Sequence, residues 1–466
     1  MSIAGLREVY AGRLVEDAAE MAPFLTDWRR QWTGAALAIA QPQTTQEAAQ
    51  VVGWCARTRT PIVPQGGNTG LSGGATPDPS GRAIVLSLTR LNRLRAVDTL
   101  NNTITVEAGV ILQTVQEAAR SAGRLFPLSL AAEGSCTIGG NLATNAGGTG
   151  VLRYGNAREL CLGLEVVTAQ GEVWDGLRGL RKDNTGLDLR DLYIGSEGVL
   201  GVITAAVLKL CPQPRGVSVT FIAVDTVADA LALLDLAQSQ LGGALTGFEM
   251  LSELCLALVE RHTPTAHTPL SARAPWYVLA EVSDLISETG AMARMEGFLE
   301  AALEAGLAKD AVIAASLAQV KALWALRENV SEAQGLEGKG IKHDIAVPIS
   351  HIAAFVDEAS AALERHFPAA RLGAFGHLGD GNLHFNLLPP EGDAGAALVA
   401  RTGEVNDAVH SIVARHGGSI SAEHGLGVLR RDEAARYKSP VELALMRSVK
   451  AALDPDGLMN PGKVLA

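Results

Sequence analysis

The sequence predicts an α+β fold in two domains, and three observations carry that prediction. The 466 residues suggest two or three domains at ~150 residues each. Up to Pro214, short strand-like runs and helical patterns are intermixed, with glycines gathered in clusters. Beyond Pro214, Ala- and Leu-rich helical patterns dominate, with strand-like runs interleaved among them.

Residues 1–34 read as a peripheral helical segment. A T-x-x-E capping box (Thr44, Glu47) then opens an amphipathic helix carrying Val51, Val52 and Cys55. PIVP (61–64) is a short strand leading into the first glycine cluster. AIVLSLTRL (83–91) and NTITVEAGV (102–110) read as strands, and LQTVQEAARSAG (112–123) as a helix closed by glycine. After the second cluster, LGLEVVTAQGEVW (162–174) is a strand, a turn at Gln170-Gly171 and a strand. GVLGVITAAVLKL (198–210) is a buried strand closed by Pro212 and Pro214, which ends a domain over 35–214. In the second domain, 215–435, VADALALLDLAQSQL (227–241) and ARMEGFLEAALEAG (293–306) are helices. YVLAEV (277–282) and IAVPI (345–349) are strands between them. The last piece of chain is 436–466.

Composition excludes several classes. Apolar residues are 47% and charged ones 19%, so the chain can bury large cores and is not disordered. With 39 basic against 50 acidic residues, net −11, nucleic acid or an anionic membrane is not the main partner. Five cysteines (Cys55, Cys136, Cys161, Cys211, Cys255) stand far apart with no C-x-x-C. That pattern points to a reducing compartment rather than a disulfide framework. The opening MSIAGLREVYAGRLVEDAAEM lacks the apolar core of a secretory signal and is a poor transit peptide. No run approaches the ~18–20 apolar residues of a membrane span. The expectation is a soluble cytoplasmic protein with no transmembrane segment, its oligomeric state open with a homodimer among the options.

PQGGNTGLSGG (64–74) follows a strand, as a phosphate-cradling loop must, because its N–H groups converge with no Cβ in the way. It matches neither the P-loop nor the G-x-G-x-x-G fingerprint, so a long surface turn is an equal reading. GSCTIGGNLATNAGG (134–148) shifts that balance, since short amides among glycines can lie flat against a large planar ligand. Two such segments in one domain suit a dinucleotide. With KDNTGLDL (182–189), YIGSEGVLGVIT (193–204) and LDPDGLMNPGKVL (453–465), the set closely resembles the flavin oxidoreductases of the vanillyl-alcohol-oxidase type. Within them it is most similar to the D-2-hydroxyacid dehydrogenases, the D-2-hydroxyglutarate, D-lactate and glycolate enzymes.

That resemblance implies a two-subdomain FAD-binding domain of the PCMH type, a cap domain for substrate, and a C-terminal segment returning to the FAD domain. It implies that Pro64, Gly66, Gly67, Asn68, Thr69, Gly70, Ser72 and Gly74 hold the FAD phosphates. Ser135, Thr137, Gly140, Asn141, Thr144 and Gly148 would line the flavin, Ile203 would lie near the adenosine, and Asn460 would return to the flavin. Some of these enzymes tether FAD through a histidine in the first glycine loop. No histidine precedes His262 here, so non-covalent FAD is expected.

GHLGDGNLHFN (376–386) is the other informative stretch. Asp380-Gly381 is a two-residue hairpin signal, which would set His377 directly opposite His384 with side chains on one face. Asn386 shares that face. SISAEHGLG (419–427) adds Glu423 and His424 beside a glycine. Two histidines on a hairpin are more often a polar strand face. With Glu423 they become a site for Zn²⁺, or for Mn²⁺ or Fe²⁺, with positions open to substrate. The resemblance implies the same: His377, His384 and Glu423 bind a divalent metal, and His424 is the catalytic base. An imidazole can take the hydroxyl proton while hydride leaves the carbon.

ALWALRENVSEAQG (322–335) reads as a helix with Arg327 and Ser331 one turn apart on one face, and Lys342 follows on the strand GIKHDIAVP. A helical arginine is usually a solvated charge. By resemblance, Arg327, Ser331 and Lys342 hold substrate, with Ser331 standing where the family has Thr. An arginine fork suits a distal carboxylate, which favours D-2-hydroxyglutarate. His262, His267, His351, His366, His410 and His416 read as surface residues. The expected activity is FAD- and metal-dependent oxidation of a D-2-hydroxyacid, with an electron-transfer flavoprotein or a quinone as acceptor because no nicotinamide fingerprint appears. D-lactate dehydrogenase or a glycolate oxidase flavoprotein is the alternative. A zinc hydrolase, in which the glycine clusters are mere turns, and a flavin-binding electron carrier are more remote.

Overall fold

The computed structural model describes residues 3–465. The chain divides into two compact units, one of residues 1–147, 155–213 and 423–466, the other of 148–154 and 214–422.

The first unit holds a four-stranded and a five-stranded sheet. In the smaller, Ile62–Gln65 and Ala38–Gln41 flank Ile84–Ser87 in parallel, and Arg13–Val15 adds an antiparallel edge. The N-terminal region is therefore not only helical: Leu6, Tyr10 and Val15 are buried, and Arg13–Val15 takes part in a sheet. The helix Thr45–Thr58 starts where the capping box places it. Thr44 Oγ1 accepts from Glu47 N at 3.1 Å, and Glu47 returns to Gln43 N at 2.7 Å. Its apolar face, with Val51, Val52 and Trp54, shares a core with Ile84 and Leu86 of one sheet and Val167 and Val202 of the other. The five-stranded sheet is antiparallel, in the order Leu94–Asp98, Thr103–Glu107, Gly201–Lys209, Cys161–Thr168, Val173–Gly176. After the helix Pro440–Leu453, Met459 bridges to Ile62, and Asn460 N donates to Ile62 O at 2.9 and 2.8 Å respectively counting the reciprocal bond from Ile62 N to Leu458 O.

The second unit is built on one seven-stranded antiparallel sheet. Its order is Asp310–Ile313, Gly216–Val224, Trp276–Asp284, Leu245–Ser252, Arg371–His377, Asn382–Leu388, Asp344–Ala346. Helices Glu253–His262, Leu317–Glu328 and Val330–Leu336 cover one face, over Phe221, Leu251, Tyr277 and Phe375. Helices Ile352–His366 and Thr402–Arg415 cover the other, where Phe355 meets Phe385 with ring centroids 5.2 Å apart. On that side lies His410, fully buried and edge-on to His343 at 5.1 Å. It is a core residue and not the surface histidine its helical position suggested.

Candidate active site

In the first unit, the strand Ile62–Gln65 runs straight into the loop 66–74. Gln65 Nε2 closes the base of that loop by donating to Phe24 O at 2.9 Å and Ala75 O at 2.8 Å. A Cβ on Gly66 would lie 2.4 Å from Thr137 Oγ1, and one on Gly67 2.2 Å from Ser135 O. The two glycine clusters therefore touch, and glycine is what lets them. Between them runs a groove of about 930 Å³, open to solvent. The loop 66–74, Thr137, Gly140, Asn141, Thr144 and Ile203 all line it, and so does His424. Pro64 stands at its edge.

Three of the expected cofactor residues do not line the groove. Ser135 stands behind Gly67, Gly148 belongs to the second unit, and Asn460 acts as a brace. Asn460 Nδ2 donates to Gly74 O at 2.9 Å and Glu197 O at 2.7 Å. The walls suit FAD. Thr137 Oγ1 and Asn141 Nδ2 are buried with no oxygen or nitrogen partner, although the Cys136 thiol lies against Asn141. Buried polar atoms are rarely left so, and here they belong to the segment a flavin would cover.

Glu197 is the residue of this groove that sequence reasoning missed. It stands in a glycine-rich turn at φ 51°, in the left-handed region. Its carboxylate accepts from Leu426 N at 2.7 Å and Gly427 N at 2.9 Å, two and three residues past His424. Its own N–H donates to Ala143 O at 2.8 Å. Ser72 Oγ holds the same segment by donating to Gly425 O at 3.1 Å, and Val428 N returns to Ser72 O at 2.9 Å. Burial raises the Glu197 carboxyl, opposed by those two amides and by Lys463, whose own ammonium burial lowers to about 8. The signal available in the sequence was an acid inside the run GSEG, which no fingerprint marks.

In the second unit the histidine hairpin differs from the two-residue turn expected. His377 pairs with Asn382 and Phe375 with His384, so the loop is four residues long. Asp380 N closes a turn on His377 O at 3.2 Å, and Gly381 follows at φ +87°. His377 and His384 are thus diagonal rather than directly opposed. A shift of two residues preserves the face, and their ring centroids lie 5.9 Å apart. Each meets a carboxylate at Nδ1: His377 with Glu249 Oε1 at 2.7 Å, His384 with Asp344 Oδ1 at 3.9 Å. A carboxylate oriented on one imidazole nitrogen is the usual support of a metal-ligating histidine. Glu423 follows directly on Ala422, whose N–H donates to Asp344 O at 3.2 Å.

The expected continuous helix over 322–335 is broken. Leu317–Glu328 ends at Asn329, and Val330–Leu336 starts again after it. Arg327 is buried while Ser331 is exposed, so the two do not share a face. Arg327 Nε donates to Glu249 Oε2 at 2.8 Å, and its guanidinium lies 4.8 Å over the Phe375 ring. Burial raises the Glu249 carboxyl, but His377 and Arg327 beside it outweigh that and hold it below the ordinary range. Asn386 is buried, with Nδ2 on Gln334 Oε1 at 2.8 Å and Oδ1 on His343 N at 3.1 Å. Lys342 is half-buried, two residues before Asp344 on the same extended run.

Among the described residues no helix is long and apolar enough to cross a membrane. Residues 36–176 match the FAD binding domain family, and residues 213–464 match the C-terminal domain of FAD linked oxidases. The chain is 39% identical to D-2-hydroxyglutarate dehydrogenase, mitochondrial, of Bos taurus, over 99% of this chain and 83% of that one. It is 40% identical to D-2-hydroxyglutarate dehydrogenase of Xanthomonas citri pv. viticola, over 98% and 95% of the two chains. Its fold is shared with p-cresol methylhydroxylase, at a TM-score of 0.78 and 16% identity over 99% of this chain and 96% of that one. The chain belongs to the FAD-linked oxidases, within the family of the D-2-hydroxyglutarate dehydrogenases.

Proposed function

We propose that this protein oxidises D-2-hydroxyglutarate to 2-oxoglutarate with FAD and a divalent metal. The observation that carries this reading is identity of 39–40% along nearly the whole chain to dehydrogenases of that acid, joined to a histidine on the wall of the FAD groove. FAD, when bound, supplies the acceptor for the hydride. A bound divalent cation, Zn²⁺ in our reading, supplies Lewis acidity to the substrate hydroxyl.

The chain's own residues have distinct tasks. Amides of the loop 66–74 meet the phosphates, while Thr137, Gly140, Asn141 and Thr144 lie along the ring system. With no histidine in that loop, attachment is non-covalent. His424 takes the hydroxyl proton onto its imidazole as the carbon gives up hydride. His377, His384 and Glu423 hold the cation. Arg327 grips the distal carboxylate through the nitrogens that Glu249 does not occupy, with Lys342 adding positive charge. Ser331, Asn386 and Asn460 have supporting places. Electrons leave to an electron-transfer flavoprotein or a quinone, in the cytoplasm.

Steady-state oxidation with an artificial dye acceptor tests the substrate. D-2-hydroxyglutarate should exceed D-lactate and glycolate in kcat/KM by at least ~10-fold, the equivalent of about 1.4 kcal/mol. Arg327→Met should remove that advantage. Equal or reversed preference in the unaltered protein would sink the assignment to the diacid.

A further inference from the structure

The seven-stranded sheet sets Glu249 directly opposite His377 in the register between Leu245–Ser252 and Arg371–His377. Glu249 is 1% exposed, and its neighbours Arg327 and His377 are each 7% exposed. Its two oxygens are divided between them. Oε2 accepts from Arg327 Nε at 2.8 Å, and Oε1 meets His377 Nδ1 at 2.7 Å.

The chemistry of each contact is specific. An ionised carboxylate cannot donate, so Nδ1 of His377 carries the hydrogen and Nε2 carries the lone pair a metal requires. On the other side, Glu249 takes only Nε of the guanidinium. Among the described residues that is the one hydrogen bond Arg327 makes, so its terminal fork is left to a ligand. The ring of Phe375, 4.8 Å from the guanidinium carbon, fixes the plane of the fork. A nearby carboxylate serves as contrast: Glu281 accepts from Thr246 Oγ1 at 2.8 Å and Trp324 Nε1 at 2.9 Å. Both its donors are neutral, and it bonds neither Arg327 nor His377.

We propose that Glu249 is a positioning residue shared by the cation and the diacid, orienting His377 for the metal and Arg327 for the distal carboxylate. The inference rests on the proposed function. Its consequence is that one substitution changes cation affinity and acid preference together. Glu249→Gln preserves the volume and removes the charge that holds both partners.

The test uses the full-length flavoprotein, stripped of divalent metal by chelation. Binding of Mn²⁺ alone is followed by electron paramagnetic resonance, and the kcat/KM ratio of D-2-hydroxyglutarate to D-lactate is measured after metal is restored. Glu249→Gln should lower Mn²⁺ affinity by about 10–100-fold and lower the diacid ratio at least ~5-fold, chiefly through KM. Glu281→Gln should leave both where they were. A folded, FAD-loaded Glu249→Gln protein with unchanged Mn²⁺ affinity, or with only one of the two properties altered, overturns the shared role. Should that variant fail to fold, Glu249→Asp keeps the charge but falls a methylene short of reaching both partners. It should lower both properties, and leaving both unchanged overturns the proposal equally. If the unaltered protein oxidises neither acid, the functional reading fails separately, and the Mn²⁺ measurement alone then decides for or against Glu249.

Discussion

His424 and Glu197 divide one task, since the imidazole meets the substrate and the carboxylate fixes the backbone that carries it. Replacing His424 by Gln should leave FAD bound and slow anaerobic flavin reduction by about 10²–10⁴-fold, the usual contribution of a general base. Stopped-flow absorbance on the flavin-loaded variant reads this directly. An unchanged rate would assign the proton to another group. Glu197→Gln keeps one acceptor and turns an amine toward the second amide, so Leu426 N or Gly427 N loses its partner. A loss of about 1–3 kcal/mol is expected, seen as faster hydrogen exchange at those two amides and a lower melting temperature. The two residues were unequally legible in the sequence. His424 stands in a run with Glu423 and glycine that a metal-and-base reading can find. Glu197 and Glu249 are single acids in glycine-rich or apolar runs, and their partners are 229 and 128 residues away. Only the sheet register and the return of the C-terminal segment bring those partners to them.

At the scale of elements, local signals held where local physics decides. The Thr44 cap, the helix Leu112–Ser121 ending before Gly123 at φ +69°, and the strand Gly201–Lys209 all appear as their residues indicate. Asp380-Gly381 misled because the turn is not closed by those two residues alone. Asp380 N bonds back to His377 O, and Gly379 N donates to Phe248 O at 3.2 Å, so tertiary contact lengthens the loop. The helix over 322–335 breaks at Asn329 for lack of any local stop signal; the turn there lets Arg327 bury against Glu249. Two predictions belong here. Gly67→Ala places a methyl about where Ser135 O now is, 2.2 Å away, so the loops must part. The purified variant should lose its visible flavin absorbance, and full FAD content would argue against the groove as the phosphate site. The second concerns the end of helix Val330–Leu336. Burial raises the Glu337 carboxyl, but His262 and Arg371 beside it bring it down to about 2. A depressed carboxyl stabilises the fold fully above its unfolded value of ~4.3, and that contribution is lost as pH falls toward 2. The melting-temperature gap between the unaltered protein and Glu337→Gln should therefore be widest above pH ~5 and close on acidification.

For the molecule as a whole, the glycine clusters made the FAD unit readable, because a cofactor cradle is written in consecutive residues. The second unit was less so. Four of its seven strands, Gly216–Val224, Leu245–Ser252, Asp310–Ile313 and Arg371–His377, carry no motif of their own and are defined by pairing. The central claim is that one flavin accepts hydride from a D-2-hydroxydiacid that a divalent cation and His424 prepare. The visible spectrum of the purified protein, taken anaerobically before and after D-2-hydroxyglutarate with a chelator-treated sample alongside, tests it most directly. The account predicts a flavin spectrum that bleaches with the diacid, and does so only where metal is present. A flavin that bleaches with D-lactate or glycolate but not with the diacid, or a protein with no flavin at all, would contradict it.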